Sequence, residues 1–352
     1  MKKTFGVLLI FGLLGLVGWL GYQHREANSI IHDLNSRLTL TTSEASQVGS
    51  LEENVQELQE QLTQREKVYT ILAGGDIMLD RGVEAALKRD NLGYEAAFDL
   101  IRDDLRDYDL VFANLEGSIS DVGADTGKAY SFRFEPIVAD ALASAGIDIV
   151  SLANNHMLDW GRESLCETTR HLDHVMVAHV GAGCDRTAAE APYLVNLGDT
   201  TLAFLAYTEF YQGAHATTDR PGITEYDLDI ITDRIKTLKQ RDGIDLVFVS
   251  MHWGTEYKPR ANDTQVQIGQ QLVDAGADVV IGHHPHVTQE IERYDEGWII
   301  YSLGNFVFDQ DWSAATMQGL LAEIVIKEGK VDDVVPRAIQ LNNRYQPSLV
   351  LE

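Results

Sequence analysis

Apolar positions along the chain fall into three regimes. From Phe5 to Leu20, extended to about Tyr22, every residue is uncharged and most are apolar. That is close to the ~20 residues a helix needs to span a bilayer. Lys2 and Lys3 precede the run and acids accumulate after it, which places the N-terminus in the cytoplasm. A cleaved signal peptide is the rival reading. No convincing small-x-small cleavage site follows, and the run is long for a signal core. No Cys follows it, which excludes a lipoprotein anchor. The expectation is a cytoplasmic tip and uncleaved single-pass anchor over residues 1–22, with the main domain outside the cell membrane.

The second regime is helical. Leu34, Leu38, Thr41, Ala45, Val48, Leu51, Val55, Leu58 and Leu62 recur at steps of three and four, with polar residues dominating the positions between. This heptad seam predicts a stalk over 23–67 that pairs chains into a homo-oligomer through 34–62. A lone amphipathic helix packed on the domain is the alternative.

From Val68 onward short apolar runs alternate with helical stretches, the pattern of an α/β domain, expected over 68–340 with a tail at 341–352. The runs end in a telling way. Val68 to Ala73 leads into Gly74-Gly75-Asp76, and Leu110 to Ala113 into Asn114-Leu115-Glu116. Ile147 to Leu152 leads into Ala153-Asn154-Asn155-His156, and Leu246 to Met251 into His252-Trp253-Gly254. Val279 to Ile281 leads into Gly282-His283-His284-Pro285-His286, and Trp298 to Tyr301 into Ser302-Leu303-Gly304-Asn305. In α/β sheets ligands gather beyond the C-terminal strand ends. Carboxylate, amide and imidazole groups meeting there suit a divalent Mn, Zn or Fe ion better than calcium. A polar strand cap is the ordinary explanation for any one such ending; six in one chain exceed it.

Charge narrows the partners. With 54 acidic against 28 basic residues, the net charge is −26. Such a surface repels nucleic acid, and no basic patch argues otherwise. A salt- or alkali-adapted surface explains the excess, as does repulsion of a polyanionic product. The two cysteines, Cys166 and Cys184, could pair outside the membrane but imply no disulfide framework, and two ordinary, mostly buried thiols are the default.

The order Asp, acid, Asn-His, His, Gly-His-x-His resembles the calcineurin-like metallophosphatases. The segments GDIMLDRGV, ANLEGSIS, SLANNHMLDWG, VSMHWGTEY, GHHPHV and YSLGNFVFD resemble the CapA family of capsule and poly-γ-glutamate biosynthesis proteins, also called PgsA, over about residues 69–310. The resemblance implies a four-layer α/β/β/α sandwich. It implies metal ligation by Asp76, Glu116, Asn155, His252, His284 and His286, with His156 beside a substrate oxyanion. Met78 stands where the phosphatases have the His of Asp-x-His, and a thioether is a poor ligand for such ions. Glu116 likewise replaces the usual Asp.

Around this set, Asp159 would either orient His156 or cap a helix beginning near Trp160. Arg81 and Glu256 with Tyr257 are candidates for the substrate side, Asn305 for the substrate side or for a bond to the metal loops, and His283 reads as a bystander. Three functions follow. The first is an envelope protein that acts on, binds or guides an anionic polymer, together with the polymer's synthase or export membrane proteins. The second is a stand-alone surface phosphoesterase, against which Met78 counts. The third is a metal-free scaffold.

Overall fold

The computed structural model describes residues 68–210, 213–241 and 243–350. The anchor expected at 1–22 and the stalk expected at 23–67 lie outside the described residues. No described helix is long and apolar enough to cross a membrane.

Two sheets stand face to face. The first is built on Val68–Ile77, which carries parallel Leu110–Leu115, Ile149–Ser151 and Ala178–Val180 on one side. On its other side run antiparallel Gln318–Lys327, Lys330–Leu341 and Pro347–Leu349. The second centres on Leu246–His252, with Thr200–Thr208 and Val279–His283 parallel beside it. Gly297–Ile300 follows in parallel, and Tyr193–Leu197 and Ile291–Tyr294 close the two edges in antiparallel.

Side-chain alternation along the strands feeds three cores. Leu246 and Phe248 meet Ile71, Phe112 and Ile281 between the sheets, where Phe204 stacks on Phe112 and Phe248 at 5.6 and 4.9 Å. Such ring pairs add about 0.5–1.5 kcal/mol each beyond area burial. Val247, Val249 and Met251 point the other way, onto Ile231, Ile235, Ile268 and Leu272 of helices Leu228–Gln240 and Asp263–Asp274. Leu72, Val111 and Val150 cover Val83, Leu142 and Leu165 of helices Arg81–Arg89, Val138–Ala145 and Arg162–His174. The result is helix, sheet, sheet, helix: the four layers expected. With both faces covered, Leu246–His252 is buried throughout, which is why it opens on an unbroken apolar run over 246–249.

Three expectations need correcting. The run at 298–301 and Asn305 do not share a strand: Gly297–Ile300 lies in the second sheet, whereas Asn305–Val307 pairs with Val68–Ile77 in the first. The chain crosses between sheets at 302–304, where Gly304 adopts φ 68. The crossing passes so close that a Cβ on Gly75 would lie 2.0 Å from the Gly304 carbonyl oxygen. Glycine is therefore required at 75. Secondly, Pro347–Leu349 is an edge strand and Gln346 is buried with its amide donating to Ala96 O, so the segment from 341 to 350 belongs to the domain and is no tail. Thirdly, Cys166 and Cys184 form a disulfide, with Cα atoms 5.1 Å apart, joining helix Arg162–His174 to the segment after Ala182–Gly183. The pairing left open replaces the default of free thiols, which sequence spacing could not rule out because it does not reveal which segments the fold brings side by side.

Candidate metal centre

The strand ends converge. Asp76 lies at the end of Val68–Ile77, in register with Asn114 on one neighbour and Asn305 on the other. A register shift between Ala73 and Asp76 marks a bulge at the two glycines, which re-aims the carboxylate. Asn114 Nδ2 donates to Asp76 Oδ1 at 2.8 Å, and the backbone N–H of His284 donates to Oδ2 at 3.2 Å. Glu116 follows its strand immediately and is fully buried. His252 ends its strand in the opposite sheet, and its Nε2 lies 2.8 Å from Asn155 Oδ1. His284 and His286 occupy the turn after Val279–His283 with φ 96 and 56, a left-handed backbone that folds both imidazoles back over the strand end. Their rings are 5.9 Å apart, and the His252 and His284 rings 4.9 Å.

All six expected ligands thus meet in one crevice. Oxygen or nitrogen atoms of Asp76, Glu116 and His286 fall within 4.8 Å of one another, as do those of Glu256, His284 and His286. A divalent cation fits this donor set. Glu116 Oε1 and His284 Nδ1 are buried without a hydrogen-bond partner among the described residues, a costly arrangement that a cation would relieve. Glu256 is exposed and reaches in from the mouth. Met78 offers nothing to the site: it is buried in the helix-side core, and its sulfur accepts the Asp80 N–H at 3.2 Å.

The electrostatics are asymmetric. Burial opposes ionisation of Asp76, but contacts from His283 and His286 prevail and hold its carboxyl well below the usual range. Burial pushes Glu116 well above its range; His286 offsets part of this and Asp76 adds to it. Burial pulls His284 down to about 3, with the His286 charge reinforcing it, and pulls His252 well below its usual value too. Both therefore present neutral, ligand-ready imidazoles. For His286 burial is outweighed by Glu116 and Asp76, which push it up to about 9. A cation bound by the two acids would displace that proton.

Beside the donor cluster stands His156. Its Nδ1 is 2.6 Å from Asp159 Oδ2, and its Nε2 is 3.8 Å from Glu116 Oε1. Burial lowers its pKa against the pull of Asp159. Phe132 stacks on the imidazole at 4.0 Å, and the Phe132 N–H donates to Asp159 Oδ2 at 2.9 Å. The helix begins at Arg162 with Gly161 as its cap and no side-chain cap bond, so Asp159 orients His156 and does not cap the helix. Asn305 Oδ1 lies 3.0 Å from His286 Nδ1 and accepts from it, holding that ring in place. Arg81 is engaged by Asp309 and lies over Phe132 at 4.6 Å, which places it on the rim. Tyr257, with φ 61, stacks near His286.

Sequence reasoning missed three residues. Asn114 looked like the last residue of a strand, yet its amide bridges Asp76 and the His252 ring, whose Nδ1 lies 3.4 Å away. Lys128 lies between two short strands with no motif around it. Its Nζ is 2.8 Å from Asp159 Oδ1 and also donates to Asn155 O. His283, expected to be a bystander, is fully buried with Nδ1 3.4 Å from Asp76 Oδ1. It also stands directly before His284, so the glycine of Gly-His-x-His is displaced one position, to Gly282.

The family profile "Bacterial capsule synthesis protein PGA_cap" matches residues 70–310, more than half of the chain. The chain belongs to this family. Among curated relatives, the "Capsule biosynthesis protein CapA" of Bacillus anthracis is 34% identical over 77% of this chain and 67% of its own length. The "PGA biosynthesis protein CapA" of Bacillus subtilis is 29% identical over 79% and 76%. Among solved structures, a hypothetical protein from Thermus thermophilus aligns with TM-score 0.47 at 18% identity, covering 77% of this chain and 99% of that one. The NAD nucleotidase of Haemophilus influenzae aligns with TM-score 0.47 at 10% identity, covering 82% and 54%. The PGA_cap match spans every strand end that supplies a donor to the crevice, from Asp76 to Asn305.

Proposed function

We propose that the chain is a membrane-anchored, extracytoplasmic component of capsule or poly-γ-glutamate-type polymer assembly, and that its crevice binds divalent metal to act on the polymer or its precursor. The observation that carries this is the convergence of Asp76, Glu116, Asn155, His252, His284 and His286 on one strand-end crevice in a PGA_cap family member. The uncharged run from Phe5 to Tyr22 supports the anchor, and the Cys166–Cys184 disulfide supports an oxidising compartment outside the cytoplasm.

A bound divalent ion would supply Lewis acidity toward a carbonyl or phosphoryl oxygen and lower the pKa of water. The rest is done by side chains. His156 Nε2 faces the crevice, where its lone pair can take a proton from a nucleophile and, once protonated, pass it to a leaving oxygen or nitrogen. Asp159, bonded to Nδ1 and fixed by Lys128 and Phe132 N–H, sets its tautomer so that Nε2 is the working atom. Asn114 fixes Asp76 and His252 together, so ligand geometry is set before anything binds. This pair of oriented groups favours a metal-dependent hydrolase over a metal-free scaffold, because a scaffold has no use for a buried, aligned His–Asp pair.

Deleting the gene in its native host and complementing it tests the reading. Cell-associated anionic polymer falls in the deletion strain and returns with the wild-type chain but not with Asn155→Ala or His252→Ala. Unchanged polymer in the deletion strain, or full rescue by both variants, contradicts it.

A further inference from the structure

Asp76, Glu116 and His286 form one donor group, and the His284 ring lies 5.9 Å from that of His286. Met78 adds nothing to it, because its side chain is buried in the same helix-side core as Leu79, Val83 and Phe98. One other carboxylate approaches the same imidazoles. A Glu256 oxygen falls within 4.8 Å of nitrogen atoms of both His284 and His286.

We infer that Glu256 is a metal ligand, joining His284 and His286 from the crevice mouth. The claim rests on the metal-binding reading above and adds a ligand to it. Several observations meet here. His284, one member of the Glu256 group, is buried and leaves Nδ1 without a partner among the described residues. The backbone carrying Glu256 is pinned: Tyr257 N–H donates to Pro285 O at 2.8 Å, between the two imidazoles in sequence, and Tyr257 holds φ 61. Gly254 N–H, two residues before Glu256, donates to Glu209 Oε1 at 2.6 Å. The loop is thus fixed to the histidine turn. A carboxylate beside the two imidazoles also changes the chemistry, since oxygen donors shift preference toward harder ions such as manganese.

The test uses the full-length chain, stripped with chelator and titrated with Mn²⁺, Zn²⁺ and Co²⁺, comparing wild type with Glu256→Gln, Glu256→Asp and His252→Ala. Glu256→Gln should weaken one class of bound ion about tenfold or more and change the visible Co²⁺ spectrum, the signature of altered coordination. The exposed position predicts an unchanged Tm for the stripped variant. Glu256→Asp should recover part of the affinity. If Glu256→Gln lowers affinity while the Co²⁺ spectrum stays that of wild type, Glu256 acts only through its charge and the assignment is overturned. Wild-type stoichiometry and affinity in Glu256→Gln overturns it as well, while His252→Ala still losing metal would leave the metal-binding reading intact. Absence of bound ion in the wild type defeats both.

Discussion

His252 Nε2 lies 2.8 Å from the amide oxygen of Asn155, a residue 97 positions earlier that arrives from the other sheet. The contact ties the ends of the two sheets at the crevice floor. Asn114 extends the tie to Asp76, so three donors from three strands form one hydrogen-bonded unit. Each donor restrains its neighbours, which is the preorganisation a metal site needs.

Asp159 tests the His156 arrangement. Its fully buried carboxylate meets His156, the Phe132 N–H and Lys128. Asp159→Ala should cost about 3 kcal/mol in urea denaturation, the low end for a broken buried pair because Lys128 keeps some surface in water. Metal stoichiometry should stay that of wild type. Loss of metal with no loss of stability would contradict this assignment.

His283 is predicted to support Asp76 from beneath the crevice. His283→Leu should fold and yet lose roughly 10–100-fold in metal affinity, the usual cost of removing an outer support of a ligand. His283→Asn, which keeps a polar group facing Asp76, should recover part of that loss. Equal affinities for Leu, Asn and wild type in competition titrations would show that His283 is only a packing residue.

Gly75 tests the close crossing of the chain between sheets. A methyl group there would lie 2.0 Å from the Gly304 carbonyl oxygen, a backbone atom that cannot swing aside. Gly75→Ala should therefore lower stability by about 2 kcal/mol or more and displace Asp76, reducing metal uptake with it. A variant of wild-type Tm and metal content would refute the close approach.

The disulfide closes a loop between residues 18 apart in sequence. In the chain-entropy account a loop of that length is worth about 3 kcal/mol. Cys166→Ser and Cys184→Ser should each lower stability by about that amount, and the double variant by no more than either single one. Additive losses would mean that the two thiols act separately.

The donors at strand ends were legible because apolar runs stop abruptly at Asp, Asn and His, and strand ends in an α/β sheet share an edge. The alternation of apolar runs with helical stretches announced an α/β domain, and its four layers came from the family resemblance. Other features depend on what only three dimensions bring together. Lys128 reaches Asp159 from a loop with no periodicity, and nothing local marks it. Asn114, one place before its strand's end, and His283, at its strand's last place, were hidden by position, since a polar residue there reads as a cap. The crossing at 302–304 was hidden because Gly297–Ile300 and Asn305–Val307 look like one interrupted strand, and the partner that separates them, Val68–Ile77, is far away in sequence. Pro347–Leu349 is too short to announce itself without the strand it pairs with.

Crystals of the chain grown with Mn²⁺ or Zn²⁺ and measured at the metal absorption edge test the central claim most directly. The account predicts an anomalous peak enclosed by Asp76, Glu116, Asn155, His252, His284 and His286. Metal-replete crystals with those side chains ordered and no anomalous density among them would contradict it.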